Sequence, residues 1–454
     1  MSTSNSIAQA LWAAIDSHTA AATALSFGVG VMLALCLGQP FFLLVTAGVA
    51  AVVSLLFFPE IALALYVVVG DVKGDERVAA LLPFDWTIAL GIVITAGIVL
   101  HVLRGKRIAP MPSAYLSLLL LVGWMSVSLA YTPVYGGGLD KLGRFLTVTG
   151  IVIVTPFFAL TTPKAMKRFI TAFGVVAFAI CCYALLGLGD SGRLVSPSDN
   201  TIGLGHVACA LVLLIWFGLI CTSRGPVRLA SYLLLIVPAV ALAGSGSRGS
   251  VIACVAAIAI GLCFYRQTLW DLALFAITGC VAMPLFQIPQ SSIDYLATLV
   301  KSGSVEALLD FRGDLLGLGW KLLQQHPLAG VGIGGFQYSS ANPTVYKWPH
   351  NIFLEAACEL GIPAALLMFA FFGIAVREAI RQMRQASPRL RMFSSLGGAW
   401  LLLGLINGLN TGDINSDRTT WLFVSLVFVI GTYEAEKRTG TVQTAFGALG
   451  SVPA

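Results

Sequence analysis

Charge is what this chain has least of. Only 11% of its 454 residues are Asp, Glu, Lys or Arg, whereas 57% are hydrophobic, and the mean hydropathy is +0.89. A water-facing globule of that composition could not cover its own surface, so a soluble fold is excluded. Strand-like alternation is missing as well, which excludes a membrane barrel and leaves helices to cross a hydrocarbon layer of roughly 30 Å. The polar start, with Asp16 and His18 ahead of the first apolar run near Ala20, holds no basic residue, so a cleaved secretory signal is not expected. The nine cysteines, from Cys36 to Cys358, all fall in or beside apolar runs without metal-ligand spacing. Neither disulfides nor structural zinc is expected from them. No internal repeat of the transporter kind is present. The net charge of +6 is scattered over short loops, a pattern that orients a membrane protein and does not imply nucleic acid.

What is present is a series of apolar runs. Spans are predicted near 84–103, 113–130, 144–160, 168–188, 202–220, 228–243, 249–265, 269–287, 351–376, 393–409 and 419–433. The stretch from Ala20 to Gly70, divided by Gly38-Gln39-Pro40 and by Pro59-Glu60, adds one to three more. The expectation is a single transmembrane domain over residues 1–454: an all-α polytopic integral membrane protein with about 12 (12 to 14) transmembrane helices.

Lys and Arg concentrate in alternate loops, around Arg104, Lys164, Arg224, Arg266, Arg377 to Arg391 and Lys437. By the positive-inside rule those loops are cytoplasmic. The segments around 131–143, 189–201, 244–248, 288–350 and 410–418 then face outward. The longest of them, 288–350, contains SVEALLDFRGDLLGLGWKLLQQHP, with apolar residues at helical spacing, Ser304 placed to cap, Gly313 as a break and Pro327 as a stop. One or two amphipathic helices against the outer membrane face are predicted there.

Cations are few on that face, so their positions are informative. Arg248 lies in AGSGSRGSVIA, Arg193 in GRLVSPSDNTIGLGH and Arg418 in NSDRTTW, each just before a helix that runs inward. A bland reading is a tight turn with a snorkelling arginine. The sharper reading is an anion site: a helix N-terminus offers unpaired N–H groups and partial positive charge, and a guanidinium grips phosphate with two hydrogen bonds. His350 also sits at a helix start, before Asn351 as N-cap, where the dipole and nearby arginines favour a neutral ring able to accept a proton. A surface histidine with only a hydrogen-bonding role is the alternative. His206, inside an apolar helix, and His326, before a helix-stopping proline, are weaker candidates. GVGIGGF formally contains G-x-G-x-x-G but follows no strand, and reads as a flexible turn. Asp71, Asp75 and Glu76 form an acidic outer loop, read as solvated carboxylates rather than a cation site.

The run RGDLLGLGWKLLQQHPLAGVGIGGF from Arg312 to Phe336, followed by HNIFLEAACELGIP, resembles the shared core of the O-antigen ligase and O-antigen polymerase superfamily of bacterial inner-membrane enzymes, and the SRGS turn at Arg248 belongs to the same pattern. The resemblance covers roughly 190–365. Ligases of that superfamily show arginine followed after three residues by leucine, and histidine followed after ten by glycine. Arg312 with Leu316 and His350 with Gly361 have those spacings. The resemblance implies a multi-pass glycosyltransferase of the membrane-embedded C-type (GT-C) class, with its site facing the periplasm. It would move O-antigen polysaccharide from undecaprenyl diphosphate to lipid A-core oligosaccharide by inverting transfer, without metal or cofactor. His350 would be the base and Arg193, Arg248 and Arg312 the diphosphate contacts, with Arg418, Asn351 and Glu355 in support. A polymerase would use the same donor. From a different class, a transporter of lipid-linked oligosaccharide would require charged residues along a central path, and the span centres are nearly free of charge.

Overall fold

The structure, a computed structural model, describes residues 51–73, 85–186, 193–264, 312–340, 348–387, 390–410, 412–415 and 417–449. Among the described residues the chain is helical and contains no strand. The helices are α1 (Ala51–Phe57), α2 (Pro59–Val68), α3 (Trp86–Leu103), α4 (Ala114–Ser128), α5 (Tyr135–Arg144), α6 (Gly150–Ala159), α7 (Pro163–Leu185), α8 (Thr201–Ile215), α9 (Gly225–Ser245), α10 (Arg248–Phe264), α11 (Arg312–Gln325), α12 (Gly335–Ser339), α13 (Ile352–Gln385), α14 (Arg391–Asn410) and α15 (Arg418–Leu449). A π-helical turn joins α5 to α6, and another extends α8 to Ile220.

Ten of the eleven spans predicted outside the first 70 residues coincide with helices; the eleventh, 269–287, lies outside the described residues. Among the described residues, seven helical stretches are long and apolar enough to cross a membrane, or eight if α1 and α2, bent by 111° at Pro59, count as one. The outward apolar faces of α3 and α4, with Ile88, Ile92, Leu116 and Leu119 exposed, are suited to lipid. Inside, rings from α4, α6, α13 and α15 meet edge to face: Tyr115 lies 5.1 Å from Phe157, 5.4 Å from Phe371 and 5.9 Å from Phe428. The Tyr115 hydroxyl shares a 2.8 Å hydrogen bond with Ser425, and the Trp400 indole donates to the Ala210 carbonyl at 3.0 Å. Such pairing is what a low-dielectric interior requires of polar atoms.

Two local expectations are corrected. The segment 131–143, expected as an outward loop, is largely helix: α5 begins at Tyr135 despite three glycines, because Gly138 packs where a Cβ would come within 2.8 Å of the Ile333 carbonyl. Gly313 lies in the first turn of α11, which starts at Arg312 and stops at Gln325, before Pro327; Ser304 and the residues that precede Arg312 lie outside the described residues. The GVGIGGF segment is no flexible turn but a tightly bonded loop, and the reason lies in α13.

Within α13, Gly361 has φ 83° and ψ 174°, a conformation open essentially to glycine alone, and it breaks the helix just before Pro363. The break releases three carbonyls from helical bonding, and each finds a donor. Val331 N–H donates to the Cys358 carbonyl at 3.0 Å and Gly332 N–H to that of Glu359 at 2.8 Å. The Trp124 indole donates to Leu360 at 2.7 Å. The Ile362 N–H, also released, donates to Pro327 O at 2.8 Å. The other edge of the loop is held by the end of α4, where Tyr131 donates to Ala329 O at 2.6 Å and Thr132 to Ile333 O at 2.8 Å. Thus the glycine that follows His350 by eleven positions is a backbone requirement. A Cβ at residue 361 would overlap the Leu328 main chain. Gly361→Ala is therefore expected to destabilise by roughly 3 kcal/mol or more, read as a lowered thermal midpoint of the purified protein; an unchanged midpoint would show that the break is dispensable.

Candidate functional site

Helices α8, α13 and α15 all begin at the same end of the bundle. Asn351 caps α13 by accepting from Phe353 N and Leu354 N, both at 3.0 Å, and Asn200 caps α8 by accepting from Ile202 N and Gly203 N at the same distance. Immediately before the α13 cap, His350 has φ +57°, the left-handed region that few side chains occupy. Pro349 precedes it, and the two together turn the chain sharply into the helix. This strained residue is one wall of a cavity of about 400 Å³ that also receives Arg418, Asp71, His206, Asn407 and Asp417. Strain of this kind persists where the surroundings over-determine it, commonly at functional sites.

Arg418, the first residue of α15, has its guanidinium 5.6 Å from the centre of the Tyr66 ring, and Gly70 lies so close that a Cβ would come within 3.1 Å of Nη2. Its Nη1 is buried and has no hydrogen-bond acceptor. A buried guanidinium N–H at a helix start, facing a cavity, is a donor suited to an anionic oxygen. Beside it Asp417 is buried, and accepts from the Thr420 hydroxyl at 2.6 Å and the Thr419 hydroxyl at 3.3 Å. Burial pushes this carboxyl up to about 7, against the downward pull of those hydrogen bonds. Near neutrality it can therefore carry or release a proton.

The other sequence-derived candidates take distinct places. Arg193 donates from both Nε, at 2.9 Å, and Nη2 to the Ser245 carbonyl, bracing the end of α9 against the 193–200 loop. Arg248 opens α10, and the following Gly249 lies against Asn407 and Asn410, so this helix start adjoins the cavity wall. Arg312 opens α11, which packs on the first turns of α13 through Leu315, Leu322 and Cys358. Glu355 turns away from the cavity. It forms an ion pair with Lys141 at 2.5 Å and accepts from Ile414 N at 3.0 Å, while Glu359, one turn on, pairs with the same Lys141 at 2.6 Å and accepts from Gly334 N at 2.9 Å. Of the acidic loop, Asp71 lies at the cavity, and Asp75 and Glu76 are outside the described residues.

Residues that sequence reasoning missed or ranked low are Asp417, Asn407, Trp348 and His206. Asp417 could have been found, since it adjoins Arg418 in NSDRTTW. Asn407 and His206 sit within apolar runs, and nothing local distinguishes a polar residue that faces a cavity from one that faces a neighbouring helix.

A second, larger groove of about 740 Å³ is apolar, lined by Gly91, Thr95, Val99, Val148 and Ile151 with Tyr66. Tyr66, against which Arg418 lies, joins this groove to the polar cavity.

Among curated proteins none matches the chain. A family model described as O-antigen ligase matches residues 231–369, a stretch that runs from α9 through Arg248 and Arg312 to the His350-bearing start of α13 and its break at Gly361, and over that stretch the chain is similar to the O-antigen ligase family.

Proposed function

We infer that the chain acts as O-antigen ligases and polymerases do, joining lipid-linked glycans by glycosyl transfer, because residues 231–369 match the O-antigen ligase family model. We propose that the protein is a ligase of the C-type class. It takes polysaccharide from undecaprenyl diphosphate and delivers it to a sugar of the lipid A core, on the periplasmic face of the bacterial inner membrane. The observation that carries the reading is that His350 and Arg418 line one cavity at the start of three helices.

The chemistry follows from that pairing. The acceptor hydroxyl loses its proton to His350, a contribution typically worth about 10² to 10⁴ in rate. Its oxygen bonds to the anomeric carbon of the donor as the bond from that carbon to the phosphate oxygen breaks on the opposite face, so configuration inverts. The diphosphate leaves without a proton. Its growing charge is met by Arg418 and the helix N-termini, with Arg248 and Arg312 as further contacts and Arg193 holding the adjoining loop. The apolar groove beside Tyr66 suits the isoprenoid chain, which would then lie next to the diphosphate. No nucleotide or metal enters this scheme.

The test is reconstitution of the purified protein with undecaprenyl-diphosphate-linked glycan and rough lipopolysaccharide. Glycan-bearing lipopolysaccharide, formed equally well in EDTA, is the expected product. Longer carrier-linked chains instead would make the protein a polymerase, and absence of both products would overturn glycosyl transfer in favour of a role such as transport.

A further inference from the structure

Trp348 precedes His350 by two residues and lines the same cavity as His350 and Arg418. Its ring lies edge-on to the imidazole, with centroids 6.0 Å apart and planes at 68°. Its indole Nε1 is buried and has no hydrogen-bond acceptor. That sets it apart from the indoles that hold the bundle together. Those of Trp124, Trp400 and Trp421 donate to main-chain carbonyls at 2.7, 3.0 and 2.9 Å. Trp86 also has an unpaired buried indole nitrogen, but it starts α3 and does not line this cavity. Buried donors are normally satisfied, so an indole N–H left open at a cavity wall marks a place for a ligand oxygen.

Resting on the transfer reaction proposed above, we propose that Trp348 binds the donor sugar joined directly to the diphosphate, its ring packing on the sugar's C–H face and Nε1–H donating to a hydroxyl. The chemistry of the two walls divides the ligand. Arg418 offers cationic donors suited to phosphate, whereas the negative face of an indole disfavours a phosphate and favours polarised C–H groups. One glycosidic oxygen links the first sugar to the diphosphate, so a diphosphate held at Arg418 brings that sugar into the cavity Trp348 lines. The buried position of Nε1 also points to the donor, because the acceptor must arrive from the aqueous side of His350.

The experiment measures equilibrium binding to the full-length protein in lipid nanodiscs, with three probes: undecaprenyl-diphosphate-linked glycan, sugar-free undecaprenyl diphosphate, and rough lipopolysaccharide. Trp348→Phe keeps a ring and removes the N–H; Trp348→Leu removes both. Phe is expected to weaken binding of the glycan-linked carrier roughly tenfold and Leu roughly a hundredfold. Affinities for the sugar-free carrier and for rough lipopolysaccharide should stay within about twofold, which also shows that the variants are folded. An equal loss for the sugar-free carrier would move Trp348 to the diphosphate, a loss confined to lipopolysaccharide would move it to the acceptor, and no loss for the glycan-linked carrier would remove it from the site; each overturns the proposal. If the wild-type protein shows the expected binding pattern yet makes no product, the transfer reaction fails and the sugar subsite stands.

Discussion

Glycan transfer should be abolished by His350→Ala or His350→Gln, with the protein still inserted and folded. The expected loss is about 10² to 10⁴ in turnover if the imidazole is the base, and at that level a lipopolysaccharide ladder from a complemented deletion strain should vanish. The left-handed backbone makes the fold control informative. Histidine, like asparagine, tolerates φ near +57° better than most residues, so alanine here should cost only about 1 kcal/mol in stability. The Asn351 cap, the Lys141 ion pairs and the Gly361 break are all left in place. Thermal midpoint and membrane abundance should therefore change little while transfer stops. A full ladder in either variant would remove His350 from the mechanism.

Lys141→Met is expected to have the largest effect on stability. The side chains of Glu355 and Glu359 are essentially inaccessible, and Lys141 is the cation within salt-bridge distance of both. Two carboxylates already outnumber one ammonium, and the surplus is met by the main-chain N–H groups of Ile414 and Gly334. Without the ammonium, two buried carboxylates would face each other one turn apart. Removing one partner of such a group typically costs about 3–5 kcal/mol. The damage should spread to the site, because the cluster ties the start of α13 to the glycine loop through Glu359 and to the 412–417 loop through Glu355. The Lys141 carbonyl adds a 3.0 Å bond from Asn415. The charge-balanced pair Lys141→Met with Glu355→Gln should recover part of the lost midpoint. Equal midpoints for Lys141→Met and the wild type, in detergent-purified protein, would show that the cluster holds nothing together.

Much of the helical framework was legible because a membrane imposes it. An apolar run near 20 residues that ends in glycine, proline or basic residues has few alternatives to a spanning helix, and ten predicted spans coincide with helices of the structure. The positions of Arg248, His350, Asn351 and Arg418 at helix starts were legible too, since caps and dipoles leave local signals. Other features had no local signal. The three glycines before Lys141 read as loop because the packing partner of Gly138, the Ile333 carbonyl, is far away in sequence. The resemblance gives Glu355 a supporting role at the site. Its side chain faces Lys141 instead, since the turn of the helix sets its direction.

The amino-acid sequence by itself determined that this protein lives in a membrane as a bundle of helices, and which polar residues begin those helices, because hydropathy and capping act within a few residues of their cause. Only the tertiary structure decided which of those residues share a cavity. It left Arg418, Trp348 and Asp417 beside His350, turned Arg193 onto a carbonyl, and used Gly361 to break α13 so that the glycine loop could bond to it. Such pairings depend on how helices far apart in the chain rotate and pack against one another, and each is selected by the need to satisfy a buried donor, acceptor or charge where no water can do so.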